Sequence, residues 1–295
     1  MPAVKSYIFN INAMIFCYNK NMRKIIFFSA IMLIFFYSCA KHRSPEAVTF
    51  LPTQTPVIID STANPLPAAE DISAQKTKTC FPSDTNSCPS ASGSQCVATD
   101  SSGCLWAGEN AVCAVIKKYS PSGEELFSYD RPQVYGIAYD PEKNWLWYTV
   151  GSYNNLTVCA GDAGDFNAGI KKMFTLSKTA DDGYYGLDFD GSLLWMTYTD
   201  YSDWYLKAFS EEGVLVKKIK IHPPVNGGMY WGITHGEGYI WFTSFDYSDS
   251  YIYKMDENGV VSSVCFTGED FLGMQYVSQN TFWTASWNDL CKINY

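Results

Sequence analysis

The stretch Tyr230–Val261, YWGITHGEGYIWFTSFDYSDSYIYKMDENGVV, decides the fold. Trp231–His235 runs into Gly236-Glu237-Gly238, a turn signal. Tyr239–Ser244 is β-branched and aromatic, and Tyr251–Met255 alternates aromatic with other side chains. Asp256-Glu257-Asn258-Gly259 then turns the chain into Val260–Cys265, with Gly259 suited to the positive φ of a hairpin turn. The stretch reads as four short strands. Such a unit cannot bury both faces of its own sheet, so it needs neighbours of the same kind.

The neighbours are present. The residues that open the first strand recur as Tyr135-Gly136-Ile137-Ala138, Tyr185-Gly186-Leu187-Asp188, Trp231-Gly232-Ile233-Thr234 and Leu272-Gly273-Met274-Gln275, after a degenerate copy at Cys96-Val97-Ala98. Successive openings lie 40, 50, 46 and 41 residues apart. Each is followed by an apolar-Trp pair: Leu105-Trp106, Leu146-Trp147, Leu194-Trp195, Ile240-Trp241 and Phe282-Trp283. In three copies a glycine stands 27 residues after the opening, at Gly123, Gly213 and Gly259. The second copy departs from this through a Gly/Asp-rich insertion, Ala160–Gly169. A period of 40–50 residues with four strands each is the signature of a β-propeller blade. The expected fold is all-β, a propeller of about five four-stranded blades, with six as the alternative count.

The quoted residues resemble the NHL-repeat and streptogramin-lyase-like (SMP-30/gluconolactonase-like) propellers, in which a blade runs as G-I-A, a turn, L-W-V-T, a D-x-x-N/D loop, then I-x-x-x-D, G and a last strand. The best matches are Trp195–Asp203 and Trp241–Asp249, and the resemblance extends over about Cys96 to Tyr295. It is specific for architecture, and one fold hosts many functions.

The N-terminus stands outside this pattern. Met22-Arg23-Lys24 followed by Ile25–Phe36 has the basic head and short apolar core of a secretory signal, with Met22 an alternative start. The core ends at Phe36-Tyr37-Ser38-Cys39, which resembles a bacterial lipobox, although Phe36 stands where leucine is usual. The resemblance implies residues 1–39 as a signal segment and Cys39 as the lipidated residue that anchors the chain to a membrane. The expected location is a bacterial envelope, at the periplasmic face or cell surface of the outer membrane. Ordinary cleavage without lipidation is the plainer alternative. Without the segment before Cys39 the chain keeps 17 basic and 30 acidic side chains, a formal net charge of −13. Such a surface repels nucleic acid and anionic headgroups, so no nucleic-acid partner is expected.

Residues 40–79, rich in Pro, Thr, Ala and Ser, read as a flexible tether ahead of a propeller spanning 80–295. The last repeat ends after its third strand, Asp289–Tyr295, which leaves an open edge. A strand from the N-terminal side is expected to close the ring, with Val48–Leu51 or Pro56–Asp60 as candidates.

Eight cysteines follow Cys39: Cys80, Cys88, Cys96, Cys104, Cys113, Cys159, Cys265 and Cys291. An even number behind a secretory signal reads as up to four disulfides, with pairing undetermined. A zinc site is the rival, but C-x2-C spacing is absent and no histidine lies near.

Alternating strand direction brings two sets of loops to one face, those leading into the first strand and those joining the second strand to the third. The first set carries Tyr135, Tyr185, Tyr230 and Trp231; the second carries Asp200, Asp203, Asp246 and Asp249. This predicts aromatic plates around a channel mouth with an acidic and amide rim, suited to a glycan or protein ligand. The competing reading is structural: Asp and Ser in such loops hold their own backbone, and the aromatics pack between blades. Catalytic signals are poor. After Cys39 there are only His42, His222 and His235, with His235 on the opposite face, and no G-x-S-x-G, P-loop or H-E-x-x-H occurs. The resemblance implies a His/Glu pair for a lyase, which has no match here, or a divalent metal for a gluconolactonase-like enzyme. Asp200 and Asp246 are then the candidate calcium ligands. No cofactor is otherwise expected. The leading reading is a lipid-anchored binding or scaffolding module. The alternatives are a calcium-dependent propeller hydrolase or lyase and a structural envelope lipoprotein without a ligand site.

Overall fold

The structure is a computed structural model that describes residues 56–60, 70–71, 79–82, 92–110, 115–130, 134–152, 155–176, 183–200, 202–221, 229–246, 249–267, 271–279, 281–286 and 289–294. The signal segment, Cys39 and Val48–Leu51 lie outside them, as do Cys88 and Cys113. Three short strands come first, β1 (Val57–Asp60), β2 (Glu70–Asp71) and β3 (Thr79–Pro82). Blade 1 is β4 (Ser92–Thr99), β5 (Leu105–Asn110), β6 (Val115–Tyr119) and β7 (Glu125–Asp130). Blade 2 is β8 (Ile137–Asp140), β9 (Trp145–Ser152), β10 (Asn155–Asp162) and β11 (Ile170–Leu176). Blade 3 is β12 (Gly183–Phe189), β13 (Leu194–Thr199), β14 (Trp204–Phe209) and β15 (Leu215–Ile221). Blade 4 is β16 (Met229–Gly236), β17 (Tyr239–Asp246), β18 (Asp249–Met255) and β19 (Val261–Phe266). Blade 5 contributes β20 (Gly273–Ser278), β21 (Thr281–Ala285) and β22 (Asp289–Asn294). Each blade is an antiparallel meander, and the five sheets form a five-bladed β-propeller.

The sequence markers have separate physical jobs. The second-strand tryptophans are core residues: Trp106, Trp147 and Trp241 are fully buried, and Trp195 and Trp283 nearly so. The late glycines make the turn between the third and fourth strands. Gly123, Gly213 and Gly259 have φ of 87, 80 and 85°, and each N–H donates to the carbonyl three residues back. A register shift follows in each of these three ladders, the glycine bulge that adds twist.

The opening glycines act between blades. A Cβ on Gly136 would sit 2.7 Å from the backbone of Gly186 and Leu187. One on Gly186 would press into the Trp231 carbonyl, and one on Gly232 would approach Met274 N at 3.1 Å. The inner strands of successive blades pack backbone against backbone, closer than side chains permit. The inner ladder is interrupted at the same place, between Tyr185 and Asp188 and between Tyr230 and Ile233. Second-strand threonines fill the gap: Thr197 Oγ1 donates to Tyr185 O at 2.7 Å, and Thr243 Oγ1 accepts from Gly232 N at 2.9 Å. A buried backbone group deprived of its ladder partner is thus satisfied by a hydroxyl.

The insertion in blade 2 also packs. Its short 3-10 turn, Phe166–Ala168, buries Phe166 with its ring 5.6 Å from Trp106, 4.8 Å from Tyr129 and 5.3 Å from Tyr148. It is a wedge between blades 1 and 2.

The N-terminal segment differs from the expectation. The fourth strand of blade 5 is β3, antiparallel to β22, rather than Pro56–Asp60. Val57–Asp60 instead lies parallel to β15 as a fifth strand on blade 3, and β2 lies parallel to β19 on blade 4. Within residues 40–79, β1 and β2 thus line these outer edges, because an unpaired strand edge offers a row of donors and acceptors to any extended segment within reach.

Candidate functional site

An aromatic cluster lies where blades 3 and 4 meet. Tyr185 stands near the start of β12, Trp204 begins β14 and Trp231 stands near the start of β16. Their rings form one chain: Tyr185 is 5.0 Å from Trp231 and 5.8 Å from Trp204, and Trp204 is 5.4 Å from Tyr230. Met229 and Leu272 pack into the same cluster. Tyr185 and Trp204 are half-buried, and Trp231 is 8% exposed. Among the described residues the Trp231 indole N–H has no hydrogen-bond partner, nor does the Tyr230 hydroxyl. Burial, and next the neighbouring Tyr253, push the Tyr230 phenol well above its usual range. The Trp231 N–H and the Tyr230 hydroxyl are both sealed from solvent, so what this cluster offers a ligand is the half-buried faces of Tyr185 and Trp204.

The remaining aromatic candidates are core residues. Tyr135 is 3% exposed within the cluster between blades 2 and 3, and its N–H donates to Thr149 Oγ1 at 3.0 Å. Tyr230 is 1% exposed against Phe242 and Tyr253. Their burial removes them from the surface, since the residue before each inner strand must fill the wedge between neighbouring blades. Trp204 was not picked out from the sequence; its signal was its place directly after the Asp200–Asp203 turn.

The acidic candidates behave as turn residues. Asp200 Oδ1 accepts from Ser202 Oγ at 2.9 Å and Asp203 N at 3.0 Å. Burial pushes its carboxyl up, but these bonds outweigh it and hold the carboxyl below the usual range. Asp203 pairs with Lys220 at 3.0 Å. The rim here is charge-matched rather than acidic. Asp246 and Asp249 face each other as the end and start of β17 and β18, and their side chains lie outside the described residues. Among the described residues no three His, Cys, Asp or Glu gather as a metal-ligand group. With the Asp200 and Asp203 carboxylates held by their own turn and Lys220, the described residues do not fit a calcium centre.

Four cysteines expected in disulfides are thiols: Cys96, Cys104, Cys159 and Cys265. Cys96 shows why. Its Sγ occupies the space over Gly108, 3.9 Å from that carbonyl, in the position where other blades place a threonine side chain. Full burial pushes its thiol up to about 12 despite the Gly108 carbonyl. It is a small apolar core residue.

The opposite face holds a second arrangement. Asp188 on blade 3, 5% exposed, accepts from the His235 backbone N–H at 2.7 Å and lies 2.8 Å from His235 Nδ1 on blade 4. Burial raises the Asp188 carboxyl above the usual range, with the His235 contacts pulling it down less. His235 also packs 5.0 Å from the Trp195 ring and borders a cavity of about 420 Å³ lined by Asp190, Ser192, Glu237, Tyr239 and Glu257. Among the described residues its Nε2 has no partner, and it is sealed from that cavity. The pair joins two blades. Related carboxylates cap the same turns: Asp100 accepts from Trp106 Nε1 at 3.1 Å and Asp190 from Trp195 Nε1 at 2.6 Å. The spacing of Asp four residues after the opening position, ahead of the apolar-Trp pair, was a readable signal for this cap.

No protein-family model matches the chain, and no curated protein matches it. Solved structures do. Myxococcus xanthus glutaminyl cyclase aligns at 14% identity over 81% of this chain and 98% of that one, with a TM-score of 0.55. A nidogen/laminin complex aligns at 14% identity over 68% and 73%, with a TM-score of 0.48. A streptogramin B lyase aligns at 14% identity over 74% and 97%, with a TM-score of 0.43. Identity at this level speaks to fold alone. The chain is a five-bladed β-propeller, similar in fold to the glutaminyl cyclase.

Proposed function

We propose that the chain is a binding or scaffolding module of a bacterial envelope, held to a membrane through lipidated Cys39, and that its ligand is a glycan seated in the Tyr185–Trp204–Trp231 cup. The observation that carries the reading is the pair of half-buried rings Tyr185 and Trp204, 5.8 Å apart, with Tyr185 packed on Trp231. A sugar ring suits such plates, because its C–H face stacks on an aromatic ring. The basic head, apolar core and Cys39 support the anchor and the location.

The test is calorimetric titration of the detergent-solubilised full chain with a panel of envelope oligosaccharides, with short peptides as comparison. Saturable heat from a glycan is expected. Trp204→Leu removes one aromatic plate and should weaken binding about tenfold, equivalent to about 1.4 kcal/mol. Binding of peptides alone, or glycan binding indifferent to both Trp204→Leu and Tyr185→Leu, would refute the assignment.

A further inference from the structure

We infer that a disulfide between Cys80 and Cys291 closes the propeller covalently, locking β3 onto the last strand of the chain. The antiparallel register of β3 and β22 sets Cys80 directly opposite Cys291, flanked by the pairs Phe81 with Leu290 and Thr79 with Lys292. Directly opposed residues in an antiparallel pair carry Cβ atoms about 4.5–5.5 Å apart, close to the range a disulfide spans after a small adjustment. Cys291 is itself disulfide-bonded, and it is 1% exposed in the blade 5 core. The thiols Cys96, Cys104, Cys159 and Cys265 are excluded as its partner. Among the described cysteines, Cys80 alone remains.

The bond forms when both S–H bonds break and one S–S bond is made. The two protons and two electrons pass to a small disulfide oxidant, such as oxidised glutathione, whose own S–S bond breaks to give two thiols. Its consequence is topological. The first and last strands of blade 5 come from opposite ends of the propeller sequence, so non-covalent closure rests on the four register pairs between β3 and β22 together with the apolar packing of blade 1 against blade 5. The disulfide ties residues 80 and 291 together and encloses every other blade within one loop. It also fixes where β2 and β1 must begin their run along the outer edges of blades 4 and 3. Reduction would release β3 and bare the edge of β22, the kind of edge that recruits other chains.

Full-length protein purified without reductant, alkylated and digested, should yield a peptide containing Cys80 linked to one containing Cys291, lost on reduction. Dithiothreitol should lower the melting temperature by about 10 °C, as expected for so large a loop. Cys80→Ser, Cys291→Ser and the double variant should share that lowered value and be insensitive to dithiothreitol. Cys291 recovered in linkage to Cys88 or Cys113, or alkylated without prior reduction, overturns the assignment. The peptide map of the unaltered protein decides even where the serine variants do not fold.

Discussion

Replacing Gly186 with alanine tests the packing that sets the blade spacing. Gly186 has φ of +56°, a conformation that costs an L-residue about 1–2 kcal/mol. The new Cβ would also press on the Trp231 carbonyl oxygen of the next blade, backbone that no rotamer change can clear. Overpacking of this kind costs about 1–3 kcal/mol. The same carbonyl accepts from Thr197 Oγ1 at 3.2 Å, and displacing it would cost about 1 kcal/mol more. The expected loss is about 3–6 kcal/mol, read as a lower urea midpoint in equilibrium unfolding. Gly191 provides the control. Its φ is +98°, but a Cβ there meets nothing within 4 Å, so Gly191→Ala should lose only about 1–2 kcal/mol. Should Gly186→Ala lose no more than Gly191→Ala, the account of close backbone packing between inner strands is wrong.

Other consequences follow from the same contacts. Thr197→Val keeps the shape and leaves the Tyr185 and Trp231 carbonyls unanswered, so it should cost about 1–3 kcal/mol in the same unfolding assay. Asp188→Ala leaves His235 without its buried partner and should destabilise the contact between blades 3 and 4 by about 1–3 kcal/mol, visible as earlier amide exchange in β12 and β16. Acid should unfold the protein through its capping carboxylates. Burial pushes Asp100 up, but Lys118 and the Trp106 N–H outweigh it and hold the carboxyl below 3.8. The Asp190 turn bonds do the same there. A depressed folded pKa stabilises the fold above the ordinary carboxylate value, and this is lost as pH falls through the depressed one. Asp100→Asn and Asp190→Asn should therefore flatten the acid limb of a stability-versus-pH curve.

The repeat was legible because its markers do local work. Gly259 must adopt positive φ to make its turn, and Trp241 must fill its blade, whatever lies beyond. The turn chemistry of Asp200, Ser202 and Asp203 was likewise readable as an alternative to a ligand site, because those bonds join residues within three positions of one another. The function of the opening glycines was not legible, since what Gly186 avoids is a carbonyl 45 residues away. The same holds for the bond between His235 and Asp188, which join only when blade 4 docks on blade 3.

The sequence alone determined the blade unit, its recurrence, the all-β class and the need for an added strand in blade 5. Periodicity, turn chemistry and strand propensity act over a few residues, and they survive in a linear reading. Only the tertiary structure decided which segment completes the ring and which aromatics reach a surface. Tyr135, Tyr185 and Trp231 occupy equivalent positions in the repeat, yet Tyr135 is sealed in the core while Tyr185 shares a cup with Trp231 and Trp204. Their fates depend on the neighbouring blade, and burial is a property of contacts between segments rather than of any one of them.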